Sequence, residues 1–127
     1  MSSLLSKAYE DSEDSQEAWE EHLKEEERKK KFLISGAGLI AKERRRQIGE
    51  EGYDEQHDAN EDYTTLSQAA MAYMDAALGA NKTACLSYWP WRDCYFKPKD
   101  VERNLVRAGA LIAAAIDRLH YYQKKNK

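Results

Sequence analysis

Apolar residues recur at helical spacing along most of the chain, but the first segment carries few of them. Between about residues 15 and 33, four Glu–Lys pairs stand four residues apart in the order that stabilises a helix. The apolar stripe there is thin and consists of Trp19, Leu23, Phe32 and Leu33. A helix this polar is either solvated or completed by a partner, so the pattern predicts a charged N-terminal arm.

The sequence ISGAG interrupts this pattern and predicts a second helix over about residues 36–50, capped by Ser35. Its predicted inward positions are Leu39, Ile40, Gln47 and Ile48. A third helix is predicted over about residues 65–78, where apolar residues return at helical spacing and Gly79 provides the stop.

The longest predicted helix covers about residues 101–124 and follows a capping Asp100. Its predicted core stripe consists of Val101, Leu105, Ala108, Ile112, Ile116 and Leu119. A second face carries small residues, and Gly109 within it costs roughly 1 kcal/mol relative to Ala, which close approach of another helix would explain.

These elements predict an all-α protein, because no segment has the pattern of a strand. We expect a small bundle of about four helices with a long aromatic loop before the last helix. Residues 1–33 would form the charged arm and residues 34–127 the bundle domain.

The composition favours a cytoplasmic protein. Apolar residues make up 42% and charged residues 34% of the 127 positions, as is common in soluble α-rich proteins. The longest nearly apolar run, Ala108–Ile116, is far shorter than the ~20 residues of a membrane span. The sequence becomes acidic within its first 14 residues, so no signal peptide is expected. Cys85 and Cys94 match no zinc-site spacing.

Charge alternates in blocks along the chain, although the net charge is only −3. Residues 1–27 sum to −8, residues 28–48 to +7, residues 49–96 to −7 and residues 97–127 to +5. A protein that coats nucleic acid would be basic along one face. We therefore expect no nucleic-acid and no membrane partner. Pairing between unlike segments of a homo-oligomer, or a local cationic pocket, fits the pattern better.

The sequence YWPWRDCYFKPKD, residues 88–100, concentrates five aromatic side chains in one segment, here called the aromatic loop. It belongs to a predicted loop of about twenty residues between the third and the last predicted helices, and loops of that length inside a compact domain are usually functional. The rings either close the end of the bundle as an apolar plug or form a wall for a flat, anionic ligand.

Arginines follow the aromatic loop at the start of the last predicted helix. Arg103 and Arg107 are four residues apart and share a helix face. Guanidinium groups can bind phosphate through two hydrogen bonds, and aromatic rings can stack on a base. Alternatively, the arginines pair with Asp58, Glu61 or Asp75 across the bundle. The predicted ligand-binding residues are Trp89, Trp91, Arg92, Tyr95, Lys97, Arg103, Asn104 and Arg107, with Glu43, Gln47 and His57 from the second segment.

The acidic segment after the second predicted helix allows a different interpretation. Carboxylate oxygens are the ligands that Mg²⁺ prefers. The ligands of such a metal site would be Glu43, Glu51, Asp54 and Asp58. The same residues would also suit a solvated loop that caps helix ends. No cysteine or serine has the neighbours of a catalytic nucleophile, so we predict no catalytic residue, and no cofactor outside the magnesium alternative.

Three stretches resemble a group of small bacteriophage and prophage proteins without assigned activity. ERRRQIGEEGYDEQHD is similar to their E-R-x-R-Q-I … E-G-aromatic … H-D run, WPW…KP to their Trp-Pro-Trp loop, and RNLVRAGALIAAAIDRL to their last helix. The resemblance covers about residues 40–120 and omits the arm. It implies a phage origin, an α-helical fold and a place in the cytoplasm of an infected bacterium, but no activity.

Phages use many small proteins against host immunity, and some of these hold cyclic nucleotide or ADP-ribose signals between subunits. By analogy, we predict a non-enzymatic homo-oligomer that sequesters a nucleotide-derived host signal. One alternative is a magnesium-dependent nucleotide pyrophosphohydrolase similar to the MazG type, with Glu51-x-x-Asp54 as a ligand pair. Another is an inhibitor that binds a host defence protein through the acidic arm.

Overall fold

The computed structural model describes residues 13–51 and 62–125 of the chain. Its helices are α1 (Glu13–Ile34), α2 (Gly36–Glu51), α3 (Tyr63–Ala77), α4 (Lys82–Leu86) and α5 (Val101–Lys125), with a 3-10 turn at Asp93–Tyr95. No strand occurs in either described range, and the predicted all-α fold is confirmed. The chain divides into two compact units, Met1–Gly38 and Leu39–Lys127.

The first unit ends at a tight junction between α1 and α2. Ser35 accepts a hydrogen bond from the Gly38 backbone N–H at 3.2 Å, which confirms it as the predicted cap of the second helix. A Cβ atom at Gly38 would lie 1.9 Å from the Phe32 carbonyl oxygen. Only glycine fits there, because the two backbone segments approach too closely for any side chain.

The second unit is built around an antiparallel pair of helices, α3 and α5. The Arg107 guanidinium lies over the Tyr73 ring at 5.8 Å, near the end of α3 and the start of α5. At the opposite ends, the charge of Arg118 acts on the Asp62 carboxyl group. The fully buried residues of both helices include several alanines: Ala69, Ala72, Ala108 and Ala110. Small side chains let neighbouring helices approach closely, so each helix position contributes little volume but many contacts.

The predicted core stripe of α5 is wrong at every position except Ala108. Val101, Leu105, Ile112, Ile116 and Leu119 are between 39% and 59% exposed. Residues of α5 that are buried instead are Asn104, Val106, Ala108, Ala110, Leu111, Ala114, Ala115 and Arg118. The helix has two apolar faces, and the face with small residues is the one that packs within the chain.

Helix α2 contacts α5 at Gly109. A Cβ atom at Gly109 would lie 2.4 Å from the Cδ1 atom of Ile40, so the missing side chain makes room for this isoleucine. Further along, Arg44 donates to Asp117 of α5 at 3.2 Å. Gln47 is buried as predicted, whereas Ile48 is 39% exposed.

The segment between α3 and α5 has more structure than the sequence predicted. Gly79 has φ of +86°, a conformation that favours glycine, and it lies just after the end of α3. Asn81 then caps α4 by accepting a hydrogen bond from the Ala84 backbone N–H at 2.9 Å. The predicted loop of about twenty residues is thus a short helix, a 3-10 turn and brief connections. No helix in the described part of the chain is long and apolar enough to cross a membrane.

Replacing Ala72 by Leu should lower the free energy of unfolding by about 1–3 kcal/mol, because a fully buried alanine leaves no space for added carbon atoms. Gln68→Leu introduces the same leucine side chain at an exposed position of the same helix. That control should change stability by less than about 0.5 kcal/mol. Urea unfolding measures both, and equal effects would contradict close packing at Ala72.

Candidate functional site at the start of helix α5

The aromatic loop is held against the first turns of α5 by hydrogen bonds. Asn104 is buried and makes two of them: its Oδ1 accepts from the Lys99 N–H at 2.7 Å, and its Nδ2 donates to the Lys99 carbonyl at 3.0 Å. Asp100 caps α5 as predicted, since its Oδ1 accepts from the Arg103 N–H at 2.8 Å. Arg107 donates to the Lys97 carbonyl from the next turn. The end of the loop is therefore fixed in position relative to α5.

Tyr73 of α3 lies at the centre of the contacts beneath the loop. Its hydroxyl oxygen accepts a hydrogen bond from the Lys97 N–H at 3.2 Å. Its ring centroid is 5.6 Å from that of Trp89 and 5.0 Å from that of Phe96. With the Arg107 guanidinium also over the ring, Tyr73 joins α3, the loop and α5. Tyr73 falls within the third predicted helix, but sequence reasoning missed its contacts with the loop.

The rings of the aromatic loop divide into an inner and an outer group. Phe96 is buried, and Trp89 and Trp91 pack against the core as half-buried rings. The Trp89 ring lies edge-on to Trp91 at 5.1 Å, and its Nε1 donates to the Arg92 carbonyl at 2.9 Å. The exposed side chains of the loop include Tyr88, Arg92, Tyr95, Lys97 and Lys99. The inner rings close this end of the bundle, as the plug interpretation predicts, and the outer side chains face solvent.

A buried carboxylate, Glu43 of α2, binds two arginines. Its oxygens accept from Arg46 Nε at 2.9 Å and Nη2 at 2.8 Å, and also from the Arg103 guanidinium. Gln47 Nε2 donates to the same carboxylate at 3.3 Å. Burial by itself would raise the pKa of the Glu43 carboxyl, but the hydrogen bond from Arg46 and the charge of Arg103 outweigh it and lower the pKa below its ordinary value. Glu43 is therefore a charged structural partner of both arginines.

The two arginines that the sequence placed on one helix face have different environments. Arg103 forms an ion pair with Glu43, a residue that the sequence predicted to bind the ligand. Arg107 donates to a neutral backbone carbonyl and stacks on a ring. Its Nε atom is buried and has no hydrogen-bond partner within the described residues, and the same is true of Gln47 Oε1.

Part of the predicted site lies outside the described residues. His57, Asp54 and Asp58 belong to the segment between α2 and α3, and the side chain of Glu51 also lies outside the described part of the chain. Within the described ranges, no group of three or more His, Cys, Asp or Glu side chains is placed to hold a metal ion. Arg46 was missed by sequence reasoning, although its position three residues after Glu43 could have indicated the pair.

Replacing Glu43 by Gln should lower the free energy of unfolding at neutral pH by about 1–3 kcal/mol, because it removes the charged acceptor of two guanidinium groups. The folded-state pKa of Glu43 is lowered, so its contribution is complete above the pKa of the unfolded chain and is lost as the pH falls through the folded-state value. The difference from the natural protein should therefore shrink below about pH 4.3, the ordinary glutamate pKa.

Urea unfolding at a series of pH values measures this difference. Glu20→Gln is the matched control, because it makes the same change at an exposed position of α1. A stability difference for Glu43→Gln that stayed constant from neutral to acid pH would contradict the role assigned to its charge.

The structure thus brings Arg107, Tyr73 and the end of the aromatic loop together, and separately joins Arg103 to Glu43 and Gln47. The chain matches no protein-family model, no curated protein and no solved structure.

Proposed function

We propose that the protein is a non-enzymatic binding protein that holds a small, anionic, nucleotide-derived molecule where the aromatic loop meets α5. The observation that carries the proposal is the Nε atom of Arg107, which is buried without an acceptor in the described part of the chain. Leaving a buried donor unsatisfied costs about 1–3 kcal/mol, and such a group in a native protein calls for an explanation. A phosphate oxygen would supply the missing acceptor.

The surroundings of Arg107 suit a phosphate ligand. Its Nη1 donates to the Lys97 carbonyl, which is a neutral acceptor. A phosphate that reached Nε would displace the part of the aromatic loop at Lys97 and replace its neutral carbonyl with a charged acceptor. Charge-assisted hydrogen bonds are roughly twice as strong as those between neutral groups. The exposed Arg92 and Lys97 would add positive charge, and the half-buried Trp91 would offer a ring for stacking.

Arg107, and not Arg103, is the anchor in this proposal. Arg103 is bound to the buried Glu43, so using it for a ligand would leave that carboxylate with Arg46 and Gln47 alone. We therefore expect Arg103→Ala to lower stability, because a buried charge loses one of its partners. This differs from the expectation for an arginine whose only role is ligand binding.

Binding without hydrolysis is the simpler chemistry for these residues. The magnesium alternative needs Glu43 as a ligand, but its carboxylate already accepts hydrogen bonds from two guanidinium groups. A metal ion would have to displace them. The other proposed ligands, Glu51, Asp54 and Asp58, lie beyond the described side chains.

The phage origin that the resemblance of residues 40–120 implies suggests, by analogy, a class of ligand. We propose a cyclic nucleotide or a cyclic ADP-ribose type of host immune signal, held in the cytoplasm of an infected bacterium. Stacking of a base on an aromatic ring contributes roughly 1–3 kcal/mol. Hydrogen bonds to a charged phosphate contribute roughly 1.5–3 kcal/mol each. After the entropic cost of ordering the ligand and the side chains is subtracted, a few such contacts give micromolar affinity.

Calorimetry against cyclic dinucleotides, cyclic mononucleotides and cyclic ADP-ribose isomers tests the proposal. A ligand from this panel should bind, and Arg107→Ala should weaken it at least about tenfold, the equivalent of one charge-assisted hydrogen bond. Arg45→Ala removes the same charge from an exposed position of α2 and should leave affinity unchanged. Thermal melting of each variant separates lost binding from lost folding.

Chromatography of the ligand after incubation distinguishes the alternatives. Intact ligand recovered from denatured protein supports sequestration, whereas a magnesium-dependent product supports the pyrophosphohydrolase. If no member of the panel binds the natural protein, the proposed function is wrong.

A further inference from the structure

Helices α3 and α5 each carry a stripe of exposed apolar residues beside their buried face. In α5, an exposed residue directly follows a buried one, and is not itself followed by a buried one, in the pairs Leu111–Ile112, Ala115–Ile116 and Arg118–Leu119. In α3, the same relation holds for Tyr73–Met74. One residue turns an α-helix by about 100°, so both exposed stripes are displaced from the buried face in the same rotational sense.

The two stripes form one surface because the helices are antiparallel. In an antiparallel pair, two stripes that are displaced around their own helix axes in the same rotational sense from the shared contact lie on the same side of the pair. We call this surface the α3/α5 face. Its residues are Tyr63, Met71, Met74, Leu78, Val101, Leu105, Ile112, Ile116 and Leu119, which are between 37% and 79% exposed.

The size of the α3/α5 face is that of an interaction surface. The part of α5 between Val101 and Leu119 is about 27 Å long at 1.5 Å per residue, and two helices side by side are about 20 Å wide. The resulting footprint, roughly 500 Å², is in the range of the largest apolar patch on a monomer, which is often a functional surface, and is more than half of the ~800 Å² that each partner contributes to a specific interface. A two-helix layer with such a face is completed by a second layer.

The pattern of residues on α5 fits a second copy of the same chain. Leu105, Ile112 and Leu119 are seven residues apart, so they are symmetric about Ile112. A two-fold axis at Ile112 would place Leu105 of one copy against Leu119 of the other. None of the nine side chains of the α3/α5 face is charged, so contact between identical faces brings no like charges together in its centre.

The charges at the ends of α5 select the antiparallel arrangement. Glu102 lies in the first turn, and Lys124 and Lys125 lie in the last. Glu102 directly follows Val101, and Lys124 directly follows Gln123. Because each step along the helix turns in the same direction, both charged side chains lie on the same side of the exposed stripe. With two α5 helices antiparallel, Glu102 of one copy approaches Lys124 of the other. A parallel arrangement would instead bring the two Glu102 side chains to the same end.

We propose that the α3/α5 face binds the same face of a second copy of this chain, with the two α5 helices antiparallel about Ile112. The product is a four-helix arrangement in which the exposed aliphatic side chains become its core. This proposal is independent of the proposed ligand, because it uses none of the residues assigned to the ligand site.

Light scattering or sedimentation at tens of micromolar tests the assembly. The natural protein should have twice the chain mass of 14.7 kDa. Ile112→Asp should weaken dimerisation at least tenfold, because each dimer would bury two carboxylates at its centre. Leu23→Asp makes the same change at an equally exposed leucine of α1 and should leave the dimer intact. Circular dichroism and thermal melting check that both variants fold.

Charge exchange and disulfide trapping test the arrangement. Glu102→Lys should weaken the dimer a few-fold, and combining it with Lys124→Glu should restore it. In a Cys94→Ser background, Ile112→Cys should form a symmetric disulfide on oxidation, since disulfides require Cα atoms within about 7 Å. Leu105→Cys should form a disulfide with Leu119→Cys in a mixture of the two variants, but not with itself.

Three results would overturn the proposal. The first is a monomer at every concentration, which would mean that another protein or another part of this chain covers the face. The second is a dimer that Ile112→Asp does not weaken. The third is a disulfide between two Leu105→Cys chains, which would indicate parallel helices.

Discussion

Close contact between α3 and α5 determines both the core and the exposed surface of this protein. Alanines of both helices are fully buried there, so apart from Leu66 and Leu111 the helices meet largely along small side chains. A close approach gives many contacts per unit length. The cost is that Leu105, Ile112, Ile116 and Leu119 of α5 remain at the surface. The exposed α3/α5 face is therefore a consequence of how the core is built.

The same contact places the candidate site. Because α3 and α5 are antiparallel, the end of α3 brings Tyr73 beside the start of α5, where Asn104 and Arg107 hold the aromatic loop. The inner rings of the loop then extend the core, while the cationic and tyrosine side chains stay outside. Stability and candidate binding thus share one segment, and Tyr73 and Arg107 contribute to both.

Burial of charge separates the roles of the arginines. Glu43 is almost completely buried and remains ionised because Arg46 and Arg103 compensate the loss of hydration. That requirement commits Arg103 to structure. Arg107 has no carboxylate partner in the described hydrogen bonds and retains a buried donor without an acceptor. Two arginines one helical turn apart therefore differ in environment, because only one of them meets the buried carboxylate.

The sequence by itself determined the helical class, the approximate ends of the four long helices, and caps such as Ser35 and Asp100, because these depend on residues a few positions apart. It also singled out Arg107 and the aromatic loop. Only the tertiary structure decided which apolar face of α5 is buried, since both faces have helical periodicity and the choice depends on the alanines of a distant helix. The pairing of Glu43 with Arg103 was likewise beyond the sequence: these residues are sixty positions apart, and their contact results from the way α2 meets α5 at Gly109.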